Sequence, residues 1–83
     1  MRKLFLTPEF ANQLADLELQ VHEIRMALRG LTRRLQRNPE FGEQLEENPD
    51  RWFVAIPDIA PRPLGIAYSF DDSQVVLLSI WIS

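Results

Sequence analysis

The chain has 83 residues, the size of one small domain, and its 46% hydrophobic and 25% charged residues are ordinary for a folded globular protein. It contains no cysteine, which excludes a disulfide framework, a thiolate nucleophile and a zinc site built on sulfur. No apolar run approaches the roughly 20 residues of a membrane span. We therefore predict a single domain over residues 1–83, located in the cytoplasm, without a metal ion or other cofactor.

The charge is unevenly distributed along the chain. Residues 1–37 carry seven basic and four acidic side chains, whereas residues 38–83 carry two and eight, giving +3 and −6 within a net charge of −3. This asymmetry predicts either a surface for a charged partner or pairing between the two halves. The acidic total argues against strong non-specific binding of nucleic acid.

The N-terminal segment reads as a strand followed by a helix. Lys3–Leu6 is a short strand, and Thr7 is a helix cap with Pro8 at the first helical position and Glu9 in the first turn. Eight apolar residues then alternate at spacings of four and three, which is a heptad seam. The seam consists of Phe10, Leu14, Leu17, Val21, Ile24, Leu28, Leu31 and Leu35. It predicts core packing first and a coiled-coil dimer second.

The length of this seam leaves two alternatives open. One helix over residues 8–37 would be about 45 Å long, whereas a globule of this size is roughly 30 Å across. The size therefore favours a helical hairpin. The absence of glycine and proline between Glu9 and Arg29 favours one long helix. Gly30 lies inside the seam, where glycine costs about 1 kcal/mol relative to alanine, and close packing would explain it.

The second half of the chain reads mainly as strands. Asn38 and Pro39 end the helical segment and can cap a short acidic helix from Pro39 to about Glu47. The predicted strands are Trp52–Ile56, Leu64–Phe70 and Gln74–Ile82, with a turn at residues 71–73. The last strand is almost wholly apolar and is expected inside the sheet, between Leu64–Phe70 and the N-terminal strand. The prediction is an α+β domain with a helical hairpin or one long helix on a mainly antiparallel four-stranded sheet.

Short motifs over nearly the whole chain resemble the RelE/ParE superfamily of small bacterial toxins. They are Leu6-Thr7-Pro8-Glu9-Phe10, Leu14, Leu17, the helix ending at residues 35–39, the segment 66–72 and Val75-Val76-Leu77-Leu78. The resemblance implies a helical hairpin, turning near residues 18–20, on an antiparallel sheet. Members of the RelE type cleave messenger RNA in the ribosomal A site with basic residues and a tyrosine, members of the ParE type poison DNA gyrase, and an antitoxin wraps both.

The chain departs from the RelE pattern at the positions that carry the catalytic residues of that pattern. Gly65 stands where an arginine is often found, and Trp81-Ile82-Ser83 ends the chain before a basic tail. RNA cleavage needs cations at the transition state and a group that moves protons. We therefore predict a toxin–antitoxin protein, or a degenerate relative, that binds an antitoxin or target without catalysis. Its predicted partners are an antitoxin or a second copy, with contact to the ribosome, messenger RNA or gyrase. The alternative is a non-toxin dimeric interaction or regulatory module held by the Phe10–Leu35 seam.

The candidate binding residues are arginines. Arg25, Arg29, Arg33 and Arg37 recur every four residues and form a basic stripe that suits phosphates or an acidic partner, and Arg51 and Arg62 flank the first strand of the second half. The stripe could also be a solvated face, or it could pair internally with Glu40, Glu43, Glu46, Glu47 and Asp50. His22 is the only histidine and is expected to be exposed or capping. The aromatic residues Trp52, Phe53, Tyr68 and Trp81 are expected in the core or an interface.

Overall fold

The computed structural model of the protein describes residues 1–21, 23–56 and 63–82. Strand β1 (Lys3–Leu6) precedes two helices, α1 (Pro8–Glu18) and α2 (Ile24–Arg37), and a 3₁₀ turn follows at Pro39–Phe41. The remaining strands are β2 (Glu43–Gln44), β3 (Trp52–Ile56), β4 (Leu64–Phe70) and β5 (Gln74–Ile82). The domain is therefore α+β. Neither described helix has the length and apolar character to cross a membrane.

The sheet has five strands in the order β1-β5-β4-β3-β2. Strand β1 runs parallel to β5, and the other neighbouring pairs are antiparallel. The sheet is thus mixed and five-stranded, and the prediction of four strands missed β2. Strand β5 lies between β1 and β4, as its apolar composition predicts, because a central strand has both of its edges covered.

The helical segment is two helices, and the alternative of one long helix is wrong. The longest dimension of the molecule is 33 Å, which is shorter than the roughly 45 Å of a 30-residue helix. Helix α1 ends in a turn in which the N–H groups of Gln20 and Val21 both donate to the carbonyl of Leu17. The heptad phase survives because Val21, in the connection, is 4% exposed and packs in the core. A seam can therefore stay in phase across a helix break.

The seam packs against the sheet of its own chain. Six of its eight residues are buried, and Leu14 and Leu31 pack against them. The sheet contributes Val54, Leu64, Ile66, Tyr68, Val75, Leu77 and Ile80 to the same core. Each buried aliphatic or aromatic side chain stabilises the fold by about 1.5–3 kcal/mol relative to exposure. The seam is therefore the main source of the helix–sheet packing.

A β-bulge in β5 keeps one face of that strand on the core. Tyr68 pairs with Leu77 and Ala67 pairs with Ser79, so Leu78 is an extra residue between them. The start of α1 satisfies the backbone at this point, because Thr7 Oγ1 donates to the Leu78 carbonyl at 2.9 Å. Thr7 Oγ1 also accepts the N–H of Phe10 at 3.1 Å, which confirms the predicted helix cap.

The predicted acidic helix from Pro39 to Glu47 is wrong. A single 3₁₀ turn at Pro39–Phe41 leads directly into β2, and the Asn38 side chain makes no capping hydrogen bond. Gly42 explains the change, because a Cβ there would collide with Tyr68 Oη and lie 2.6 Å from the Phe53 carbonyl. The chain packs closely against β3 and β4 here, and that packing overrides the local helix signals.

Gly30 does not mark a close contact, contrary to the expectation from sequence. A Cβ built at this position meets no other atom within 4 Å. Its place in α2 is therefore not explained by packing within the chain.

Candidate functional site

Helix α2 carries five arginines and no acidic residue. Among the described residues one salt bridge forms, between Arg25 Nε and Glu18 Oε1 at 2.9 Å. The predicted internal pairing of the stripe with the acidic residues at positions 40–50 is therefore wrong for the residues described. Arg34 instead places its guanidinium 4.4 Å from the ring centre of Phe41, a cation–π contact.

The structure divides the predicted arginine stripe between two places. A step of four residues exceeds one helical turn by about 40°, so the first and last arginines of the stripe face different neighbours. Arg25 and Arg29 line a groove beside β1, whereas Arg37 lines a separate cavity with Arg2 and Lys3. Arg33 is exposed and lines neither. The stripe is therefore not one continuous site.

The groove lies between β1, α1 and α2 and has a volume of about 260 Å³. Its apolar lining is Leu4, Leu6, Phe10, Leu14, Leu28 and Leu77. Its polar lining consists of Arg25, Arg29 and Thr32, and no acidic residue belongs to it in the part of the chain that the structure describes. Leu6 is 47% exposed, whereas the other apolar residues of the groove are buried or half-buried. We call this feature the β1 groove.

Strand β1 forms one side of the β1 groove and is an edge of the sheet within the described residues. The N–H groups of Lys3 and Thr7 donate to carbonyls of residues 73 and 77, on the β5 side. Since alternate residues of a strand direct their backbone groups to opposite sides, those of Leu4 and Leu6 face away from β5. The edge therefore offers backbone hydrogen-bonding groups directly beside an apolar groove.

Tyr68 stabilises the fold and does not line either of the two arginine-lined surfaces. Its side chain is fully buried, its Oη donates to the Pro39 carbonyl at 2.6 Å, and it accepts the N–H of Gly42. Burial raises the pKa of Tyr68 above its ordinary 10.0, and the hydrogen bond from Gly42 opposes that rise. A hydroxyl held in this way joins β4 to the 3₁₀ turn and lies away from both arginine-lined surfaces.

The face of the sheet opposite the helices is apolar at its centre. Gly65 and Ala67 of β4 are buried there, and the Trp81 indole lies over Gly65, where a Cβ would come within 2.5 Å of it. Trp81 is 40% exposed and Phe5, on β1, is 47% exposed. Neither described helix packs on this face. We call it the outer sheet face.

The remaining candidates fall outside these surfaces. Arg51 is exposed immediately before β3 and lines neither the β1 groove nor the cavity at Arg37. Arg62 and His22 lie outside the described residues. Sequence reasoning missed Leu4, Leu6 and Thr32 in the groove and Arg2 and Lys3 in the cavity. The sequence signal that could have indicated the groove is a pair of adjacent large apolar residues, Phe5 and Leu6, at the end of a short predicted strand.

No family model matches the chain, and no curated protein matches its sequence. The resemblance to RelE/ParE toxins therefore stays a prediction, and any function proposed for the chain depends on the geometry of its surfaces.

Proposed function

We propose that the chain is a RelE/ParE-like toxin–antitoxin protein, or a degenerate relative, that acts by binding a partner segment in the β1 groove. The observation that carries this proposal is an apolar groove that adjoins a sheet edge and whose described lining has two arginines and no acidic residue. The two helices after β1 and the antiparallel strands β3–β5 agree with the fold that the resemblance implies.

The chemistry of the β1 groove defines its occupant. The edge of β1 suits an extended segment that adds a strand, because main-chain hydrogen bonds supply affinity in that mode. The floor suits apolar side chains. Arg29 has no ion pair among the described residues, and Arg25 has one partner, so carboxylates of the segment would complement them. We infer that the occupant is an acidic, extended segment of the target that carries apolar residues. An antitoxin tail of the same character would neutralise the chain by taking the place of the target in the groove.

Binding, and not catalysis, fits the side chains available at the groove. Among the described residues, its lining contains no histidine, tyrosine or carboxylate that could move a proton. The single tyrosine is buried and hydrogen-bonded elsewhere. Gly65, in the place of an arginine of the RelE pattern, lies under Trp81. Contact with the ribosome, messenger RNA or gyrase would then follow from binding alone.

A second candidate function is a non-toxin module that self-associates. The seam is buried against the sheet of its own chain, so it does not supply a dimer interface. The exposed apolar residues of the outer sheet face favour self-association through that face instead. Sedimentation of the chain at micromolar concentration tests this candidate. A dimer that dissociates when Trp81→Ser is introduced would support it, and a wild-type monomer would contradict it.

The β1 groove is tested with a synthetic peptide that alternates glutamate with valine or leucine. Titration into the isotope-labelled chain should shift the amide signals of Leu4, Leu6 and Thr32 and slow hydrogen exchange at Leu4 and Leu6. Arg29→Gln should weaken binding by about ten- to a hundredfold, because a charge-assisted hydrogen bond contributes about 1.5–3 kcal/mol. Arg33→Gln is the matched control, since Arg33 lies on the same helix outside the groove.

A peptide in which lysine replaces every glutamate controls for apolar binding alone. Equal affinity for the acidic and basic peptides would contradict the role of the arginines. Signal changes confined to the outer sheet face would contradict the groove itself.

A further inference from the structure

We propose that the cavity at Arg2, Lys3 and Arg37 binds the phosphate groups of a phosphorylated ligand. The cavity has a volume of about 700 Å³ and lies where β1 begins, α2 ends and the turn between β4 and β5 passes. It is separate from the β1 groove, since the two linings have no residue in common. The proposal does not depend on the function proposed for that groove.

Positive charge dominates the lining of this cavity. Three cationic side chains, Arg2, Lys3 and Arg37, face one carboxylate, Asp72. None of the three forms a salt bridge with another described residue. The lining side chains therefore carry a charge of about +2, from three cations and one anion, in a chain whose total charge is −3. The Asp71 carboxylate, outside the lining, also attracts Arg2.

The carboxylate of the neighbouring Asp71 forms hydrogen bonds within the turn between β4 and β5. Its carboxylate accepts the N–H and hydroxyl of Ser73 and the N–H of Gln74 at distances between 2.8 and 3.0 Å. These bonds, those from Ser73 above all, hold the pKa of Asp71 below its ordinary range. Asp71 therefore closes the turn and does not line the cavity.

Hydrogen bonds from three segments fix the cavity wall. Gln36 Nε2 donates to the Arg2 carbonyl at 2.8 Å, and the N–H of Arg2 donates to the Gln36 carbonyl at 3.3 Å. The N–H of Lys3 donates to the Ser73 carbonyl at 2.9 Å. Arg2 Nε donates to the Asp71 carbonyl at 2.7 Å, and its guanidinium lies 5.9 Å from the Phe70 ring centre. The Arg2 guanidinium is thus held at the cavity before any ligand binds.

This arrangement suits phosphate better than a single carboxylate. Arginine presents a planar set of donors that matches phosphate oxygens, and lysine adds a point charge. Small-molecule sites have volumes of about 300–1,000 Å³, so the cavity accommodates a ligand of nucleotide size. The phosphate could belong to a small phosphorylated molecule or to a nucleic-acid strand, since both present the same group.

The test is a titration of the isotope-labelled full chain with pyrophosphate, with ATP and with a short single-stranded RNA, in about 150 mM salt to screen weak surface attraction. Saturable shifts at residues 2, 3, 37 and 73 are expected. Arg37→Gln and Lys3→Gln should each weaken pyrophosphate binding by about tenfold, the loss of one charge-assisted contact. Asp72→Asn should strengthen it, an effect that misfolding would not produce.

Arg33→Gln is the control, because it removes the same charge from α2 outside the cavity, and its affinity should match the wild type. Tighter binding of ATP than of RNA would assign the site to small phosphorylated molecules. Tighter binding of RNA, with the same dependence on Arg37, would assign it to a nucleic-acid strand. No saturation by pyrophosphate, or an equal loss in Arg33→Gln, would overturn the proposal.

Discussion

Gly30 occupies an exposed position in α2 where a side chain would have room. Glycine in a helix interior costs about 1 kcal/mol relative to alanine. Gly30→Ala should therefore raise the free energy of unfolding by about 1 kcal/mol in urea titrations. Gly42→Ala is the contrasting substitution and should lower it, because its Cβ would collide with Tyr68. A loss of stability in Gly30→Ala would contradict the open environment described for it.

Tyr68 couples stability to alkaline pH. Because burial raises its pKa in the folded state above the ordinary 10.0, folding favours the protonated form. The stabilisation is complete below the unfolded pKa and is lost as the pH rises through the folded pKa. We expect Tyr68→Phe to cost about 1–3 kcal/mol at neutral pH, since the Pro39 carbonyl loses its donor.

The measurement compares the free energy of unfolding of wild type and Tyr68→Phe from neutral to strongly alkaline pH. The difference between them should shrink above pH 10. Absorbance follows the ionisation directly, since the chain has one tyrosine. A difference that stays constant across this range would mean that the Tyr68 hydroxyl is not held in the folded state.

At the scale of elements, Thr7 links the start of α1 to the bulge in β5. Its hydroxyl serves as both acceptor for Phe10 and donor to Leu78. Thr7→Ala should lower the free energy of unfolding by about 1–2 kcal/mol through loss of the cap and of the bulge contact. Thr7→Ser keeps the hydroxyl and should retain most of the stability. Equal losses in the two variants would assign the effect to the methyl group instead.

The first helix and four of the five strands could be predicted from sequence because their signals are local. Thr7 and Pro8 define the start of α1, and alternation in Leu64–Phe70 defines β4. The segment after Pro39 could not be predicted in this way. Its course is decided by Tyr68 and Phe53, which are distant in sequence and close in space. The seam predicted its buried positions but not the helix break, because Val21 continues the spacing through the connection.

The candidate sites could likewise be predicted only in part, because contacts between distant parts of the chain determine them. The arginines of α2 are visible in the sequence, but their division between two surfaces depends on which part of the N-terminal segment lies beside each one. Leu4 and Leu6 become site residues only because β1 lies at the edge of the sheet. Arg2 and Lys3 lie beside Arg37 because Arg2 and Gln36 exchange two hydrogen bonds, a contact across 34 residues that local patterns do not encode.

At the scale of the whole molecule, the charge asymmetry appears as two arginine-lined surfaces that share β1 and α2. The β1 groove carries Arg25 and Arg29, and the cavity carries Arg37 with Arg2 and Lys3. Most of the acidic residues lie later in the chain and do not neutralise them among the described residues. This separation leaves the basic surfaces available to partners although the protein as a whole is acidic.

The central claim, that the protein acts by binding through the β1 groove, is tested most directly by induced expression in a bacterial host. Growth and the integrity of messenger RNA are followed together for wild type, Arg25→Gln/Arg29→Gln and the control Arg33→Gln at matched protein levels. We expect growth arrest with intact messages in wild type and in Arg33→Gln, and relief of arrest in the double variant. Normal growth of the wild type, cleaved messages, or arrest that persists in the double variant would contradict the claim.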